Sequence, residues 1–192
     1  MMTNHSMDFF MQLHLTERCN LKCKHCYQTG RKVDELTFPE VADLVKETAE
    51  TLKEWKKLYD IEYSPSFNVT GGEPFLRNDI FDILAEIGHR GFDIYLLTNG
   101  ILINKKKAEA LFNLGVKGVQ VSIEGPENIH DSIRGKDSFS GSMEGINNLL
   151  DAGLRVTLNT TLSSVNAGHF MDIIGISSRL GVRRIGFSRL VP

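Results

Sequence analysis

What most restricts the fold of this chain is a recurring order: a short apolar run, a turn rich in Gly or Asn, an amphipathic stretch, and a glycine. Apolar runs at 9–16, 66–70, 92–97, 118–123, 154–160 and 182–188 have the length and near-continuous hydrophobicity of strands buried on both faces. Between them, 79–90, 104–114, 140–152 and 166–180 have helical spacing and end at Gly91, Gly115, Gly153 and Gly181, the residue type that best closes a helix. A longer helix opens at Thr37-Phe38-Pro39-Glu40, a capping-box pattern with Pro in the first turn, and runs to about residue 59. Its apolar positions include Val41, Val45, Leu52 and Trp55, which reads as a core residue. Asn78 or Asp79 is suited to cap the 79–90 helix. Six strands alternating with five helices imply an α/β fold with a parallel sheet and right-handed crossovers.

Residues that can do chemistry fall at the carboxyl ends of those strands. Gly71-Gly72-Glu73-Pro74, Thr98-Asn99-Gly100 and Glu124-Gly125-Pro126 each follow a strand run, and so does the loop that carries every cysteine of the protein. Ligands of parallel sheets bind at that edge.

The cysteines, Cys19, Cys23 and Cys26, are spaced C-x3-C-x2-C. An odd number excludes a complete disulfide framework, and thiolates so closely spaced suit a soft metal, either zinc or an iron–sulfur cluster. A closed zinc site needs four ligands, which His25 or His14 could complete as a zinc knuckle. Three thiolates on a four-iron cluster leave one iron open to a small molecule.

Composition narrows the function classes. With 41% hydrophobic and 24% charged residues, the 192-residue chain reads as one globular domain. A net charge of −2 argues against nucleic-acid binding through a basic face. No run of 18 apolar residues is present, and Met1–Asp8 lacks the order of a signal peptide, so the expected location is cytoplasmic, without a membrane partner.

The stretch Leu15-Thr16-Glu17-Arg18-Cys19-Asn20-Leu21-Lys22-Cys23-Lys24-His25-Cys26-Tyr27 closely resembles the cluster loop of radical S-adenosylmethionine (SAM) enzymes. The resemblance extends over nearly the whole chain and implies a partial (β/α)6 TIM-like barrel open on one side. It implies a [4Fe-4S] cluster on Cys19, Cys23 and Cys26, and SAM bound at the iron that lacks a protein ligand. One-electron cleavage of SAM would then yield a 5′-deoxyadenosyl radical that abstracts hydrogen from a substrate.

By the same resemblance, Gly71, Gly72 and Glu73 take the methionyl ammonium. Ser122 and Glu124 stand where many members have Ser-x-Asp-Gly and would hold ribose hydroxyls or the methionyl group; Glu124 departs from the commoner Asp by one methylene. Arg134 resembles the arginine that grips the methionyl carboxylate, a task suited to a bidentate guanidinium. Asn159, a polar residue inside a strand, would serve a ribose hydroxyl or a buried water. Tyr27 follows the third cysteine at the cofactor site, and Leu190 would lie against the adenine.

Ser122–Gly135, Asn159-Thr160-Thr161, Asn166 and the segment 187–192 together resemble the subgroup with a C-terminal SPASM or twitch extension, whose members include peptide maturases and heme-biosynthetic enzymes. The expected partners are a ribosomal peptide, a tetrapyrrole precursor or another small molecule, and a reduced flavodoxin- or ferredoxin-type electron donor. Ending just after the sixth strand, the chain reads as a core domain, 1–192, truncated before such an extension. Two other readings stand beside this one: a structural zinc-binding module without catalysis, and an α/β barrel enzyme whose cysteines are incidental.

Overall fold

A computed structural model of the chain describes residues 6–28 and 34–190. Met1–His5 and Val191-Pro192, parts of two segments read above, lie outside the described residues. Six strands, β1 (Ser6–His14), β2 (Glu62–Thr70), β3 (Asp93–Thr98), β4 (Gly118–Ser122), β5 (Val156–Leu162) and β6 (Arg184–Arg189), form one all-parallel sheet in the order β1-β2-β3-β4-β5-β6. Helices α1 (Phe38–Tyr59), α2 (Ile80–His89), α3 (Lys105–Asn113), α4 (Glu127–Arg134), α5 (Ser138–Asp151) and α6 (Phe170–Leu180) connect them, giving a curled partial barrel with β1 and β6 at its edges. None of the described helices is long and apolar enough to cross a membrane.

Alternation along the strands separates two faces. Phe67, Val69, Ile94, Leu96, Val119, Val121, Val156 and Leu158 are buried and join the α2, α3 and α5 residues Ile83, Ile87, Leu111 and Ile146 in one core. The other face points into the bore. There Gln12, Thr70, Gln120, Ser122, Asn159 and Thr161 line an open cavity, where a closed barrel would pack branched apolar side chains.

Local structure follows the sequence pattern closely. The glycines expected to close α2, α3, α5 and α6 all sit at positive φ, between 70° and 85°. At the head of α1, the Glu40 carboxylate accepts from both the Thr37 backbone N–H and its hydroxyl, each at 2.7 Å.

Four expectations are corrected. Trp55 is 41% exposed rather than core, because the last turns of α1 run past the sheet, leaving Leu58 and Tyr59 exposed as well. β2 begins four residues before Ser66 and contains Pro65. The ladder to β3 starts only at Ser66, so Pro65 lies where β2 has β1 as its single neighbour and a missing N–H is tolerated. A sixth helix, α4, occupies the stretch after Glu124-Gly125-Pro126; two turns are too few for periodicity to reveal it. Asp79 does stand at the N-cap of α2, but its carboxylate is engaged by the Arg77 guanidinium at 2.9 and 2.7 Å rather than by the helix.

Candidate active site

The cysteine loop leaves β1 and crosses directly over the end of β2. Gly72 N–H donates to Thr16 O at 2.6 Å and Glu73 N–H to Arg18 O at 2.8 Å. A Cβ on Gly71 would meet the Thr16 carbonyl, and one on Gly72 the Arg18 carbonyl, so the Gly-Gly pair is required by this crossing of two backbones. The root of the loop is tied from the other side. Arg18 donates to Glu35 at 2.8 and 3.0 Å, and Arg77 donates to the carbonyls of Leu15 and Leu36 at 3.0 and 2.8 Å. Farther along, Lys24 N–H donates to Ile133 O on α4 at 2.9 Å.

Held this way, the loop presents its thiols to a cavity of about 890 Å³ at the carboxyl ends of the strands. Cys19, Cys23, Cys26, Tyr27, Gly71, Gly72, Ser122, Arg134, Asn159 and Leu190, drawn from six separate stretches of the chain, all line it. Tyr27 is 77% exposed and lies edge-on to His14 with ring centroids 6.4 Å apart. Leu190 follows β6 and is held by its N–H to Leu162 O at 2.9 Å. The cysteines are free thiols. Burial pushes the Cys19 and Cys23 thiols above the ordinary range, the Leu21 N–H opposing it at Cys19 and the Arg134 charge at Cys23.

Two of the expected site residues stand behind the cavity wall instead of on it. Glu73 is fully buried, and its carboxylate accepts from Phe75 N–H at 3.2 Å, from the Thr98 hydroxyl at 2.9 Å and from Asn99 N–H at 2.9 Å. Burial pushes its pKa up against those hydrogen bonds. The Asn99 side chain so placed donates to Asn20 Oδ1 at 2.8 Å and lies 4.0 Å from Cys19 Sγ. The Glu73 carboxylate therefore reaches the cysteine loop through Asn99, beside the direct backbone bond to Arg18 O.

Glu124 is also fully buried. One carboxylate oxygen accepts from Arg134 Nε at 3.0 Å and Nη2 at 2.6 Å, with His25 Nε2 3.6 Å away. The other accepts Thr161 N–H at 2.9 Å and lies 3.4 Å from Asn166 Nδ2. Arg134 is thereby oriented so that its Nη1 lies 3.8 Å from Cys23 Sγ. Within this structure the partner of Arg134 is a protein carboxylate, with one edge of the guanidinium turned to the cavity.

Asn99, Asn166 and His130 stand in stretches that the sequence marks, but none of them was assigned a role at the site. Asn166 is buried and donates to Glu124 O and Thr161 O, both at 3.1 Å, while Ser163 N–H donates to it at 2.8 Å. His130 accepts Glu124 N–H through Nδ1 at 3.2 Å, and burial, with the Arg134 charge beside it, lowers its pKa to about 3. Asn at the end of a strand or the start of a helix was the only available signal, and it reads equally as a turn or a cap.

The donor set fits a soft metal group. Among the described residues, three thiols and no carboxylate line the cavity. Among the described residues, no three His, Cys, Asp or Glu side chains are grouped to hold one ion.

The sequence model of the Radical SAM superfamily matches residues 13–175. The chain is 31% identical over 193 residues to the AdoMet-dependent heme synthase of Nitratidesulfovibrio vulgaris, an alignment covering 93% of this chain and 47% of that protein. It is 30% identical over 182 residues to the Fe-coproporphyrin III synthase of Methanosarcina barkeri, covering 93% and 43%. The chain thus spans about half the length of these curated relatives. Among solved structures, native anSMEcpe with bound AdoMet and the Kp18Cys peptide superposes with a TM-score of 0.80 at 20% identity, over 97% of this chain and 52% of that one, a likeness of fold. A family match over most of the length, together with relatives at this identity, places the chain in the radical SAM superfamily.

Proposed function

We propose that this enzyme holds a [4Fe-4S] cluster on Cys19, Cys23 and Cys26, binds SAM in the cavity beside it, and uses the pair to remove hydrogen from a substrate. When bound, the cluster and SAM supply one-electron cleavage to a 5′-deoxyadenosyl radical. The observation that carries this reading is the convergence of the thiols, Gly71-Gly72, Ser122, Arg134 and Asn159 on one cavity from four strands and from the end of α4.

The chain's own residues have defined tasks in this scheme. The thiols bind as thiolates, so loading the site releases protons that burial otherwise retains. Glu124 and Asn166 are positioning residues that aim the Arg134 guanidinium at the methionyl carboxylate. Glu73 positions Asn99 and the cysteine loop. Ser122 and Asn159 receive ribose hydroxyls, and Leu190 and Tyr27 border the adenosyl group and shield it from water. The subgroup, a SPASM/twitch-type peptide maturase or heme-biosynthesis-like core, belongs to the same proposal. It is supported by identity to heme synthases and by the fold shared with a peptide-bound structure. The substrate is a peptide or tetrapyrrole precursor, and a flavodoxin- or ferredoxin-type protein donates the electron.

Electron paramagnetic resonance of anaerobically reconstituted, reduced protein, before and after adding SAM, tests the proposal. The expected result is a four-iron signal that shifts with SAM, accompanied by formation of 5′-deoxyadenosine. Zinc in a colourless protein, with no cluster signal, would overturn it.

A further inference from the structure

The three cysteine sulfurs do not share one environment. Cys19 Sγ has Leu21 N–H at 3.4 Å and Asn99 Nδ2 at 4.0 Å, and Cys23 Sγ has Arg134 Nη1 at 3.8 Å. Among the described residues no donor reaches Cys26 Sγ. Leu21 belongs to the loop itself. Asn99 and Arg134 come from distant parts of the chain, and each is locked from behind.

The Asn99 backbone N–H donates to Glu73 at 2.9 Å, its carbonyl accepts from the Ser142 hydroxyl at 2.7 Å, and its side-chain Oδ1 accepts from Ile101 N–H at 3.0 Å. The bond to Ile101 fixes which end of the amide faces the cysteine loop. Of the two hydrogens on Nδ2, one goes to Asn20 Oδ1 at 2.8 Å, and the other is left for Cys19. Arg134 is set in a similar way. Glu124 takes Nε and Nη2, so Nη1 is the end that faces Cys23. Burial raises the Cys23 pKa, and the Arg134 guanidinium opposes that rise, outweighing the Glu124 carboxylate beside it.

A donor aimed at a ligating sulfur draws electron density from it and stabilises the form of an iron–sulfur group that carries the added electron; a cation acts in the same direction. Two of the three sulfurs are served in this way by side chains that are themselves held by buried carboxylates.

We propose that Asn99 and Arg134 set the reduction potential of the cluster, raising it by N–H donation to the Cys19 and Cys23 thiolates. This rests on the reading of the three cysteines as cluster ligands, and it adds to that reading two residues that tune the group without ligating it.

The test is a redox titration of the anaerobically reconstituted chain without SAM, in which dithionite supplies one electron per cluster and electron paramagnetic resonance reads the reduced fraction against ambient potential. At the potential where the parent is half reduced, Asn99→Ala should lower the ratio of reduced to oxidised cluster about threefold. Asn99→Asp, which exchanges the donor for a charged acceptor, and Arg134→Gln should lower it about tenfold, a shift of about 59 mV to more negative potential. Should Arg134→Gln fail to fold with Glu124 left unpaired, its combination with Glu124→Gln removes both charges and should still shift the midpoint downward. Ser142→Ala removes a hydrogen bond to Asn99 on the side away from the sulfur and should leave the midpoint where it is. A midpoint unmoved by the Asn99 variants or by the loss of Arg134, or an equal shift in Ser142→Ala, would overturn the proposal. A chain that loads zinc and forms no cluster would sink it together with the reading it rests on. Midpoints that move as expected in a chain whose cluster ignores SAM would retain it and remove the SAM site.

Discussion

Two buried carboxylates, Glu73 after β2 and Glu124 after β4, occupy equivalent corners of the barrel and are satisfied in opposite ways. Around Glu73 every donor is neutral: two backbone N–H groups and a threonine hydroxyl. Burial accordingly pushes its pKa up. Glu124 has a guanidinium on one oxygen and a backbone N–H on the other. The first corner is a mechanical joint that binds β2, β3 and the cysteine loop. The second is an electrostatic bracket that keeps a cation beside Cys23. Hydrogen-bond geometry thus separates a residue that holds the loop from one that holds a charge, although both are Glu at a strand end.

The largest effect should come from breaking the bracket. Glu124→Ala leaves Arg134 unpaired in a nearly buried site and should cost about 3 kcal/mol of folding stability in urea unfolding. Arg134→Ala added to it should cost clearly less than the sum of the two single changes. Additive costs would mean that the pair is not coupled.

Replacing the acid by its amide sharpens the contrast. Glu73→Gln keeps one acceptor oxygen and loses no hydrogen bond from a cation, so its cost should be about 1–2 kcal/mol and smaller than that of Glu124→Gln. Since burial favours the protonated acid at Glu73, its ionisation weighs against folding as pH rises above the ordinary carboxylate range, and the cost of Glu73→Gln should shrink there. The reverse order of the two Gln variants would break the comparison.

A smaller effect is expected from His130, behind the Glu124 corner. Burial and then Arg134 lower its pKa from 6.5 to about 3, with His25 adding to the fall and Asp131 opposing it. In the unfolded chain it takes up a proton near pH 6.5, so its contribution to stability is present above that pH and is lost on acidification toward pH 3. The loss is at most about 1.4 kcal/mol per pH unit. Between pH 6 and 4 the parent should lose stability more steeply than His130→Gln by about that slope. Parallel curves would place the His130 proton elsewhere.

How much of this was legible in advance depends on the range over which each signal acts. Alternation of apolar strands and glycine-closed helices is local, and it marked the partial barrel and the strand ends where the chemistry lies. The cysteine loop was legible from its spacing as a soft-metal site, and its place at a cofactor site, with that of Gly71-Gly72, came from the resemblance of these motifs to a known family. Short α4 and the position of Trp55 were not, because an eight-residue helix has too few turns to show a period and the overrun of α1 depends on where the sheet stops. The inward side of Glu73 and Glu124 was equally hidden. A carboxylate at a strand end can face a ligand or the neighbouring strand, and one residue of context does not choose.

By itself the sequence determined the order of elements, the parallel sheet, the thiol set and the edge at which they meet, since these follow from residue type and period. Only the tertiary structure decided that the carboxylates of Glu73 and Glu124 turn inward, that Asn99 joins Glu73 to the cysteine loop, and that Glu124 holds Arg134 directly while Asn166 braces Glu124. Those facts depend on which side chains distant segments bring within hydrogen-bonding distance, such as the 80 residues between Cys19 and Asn99, and no local pattern encodes that distance.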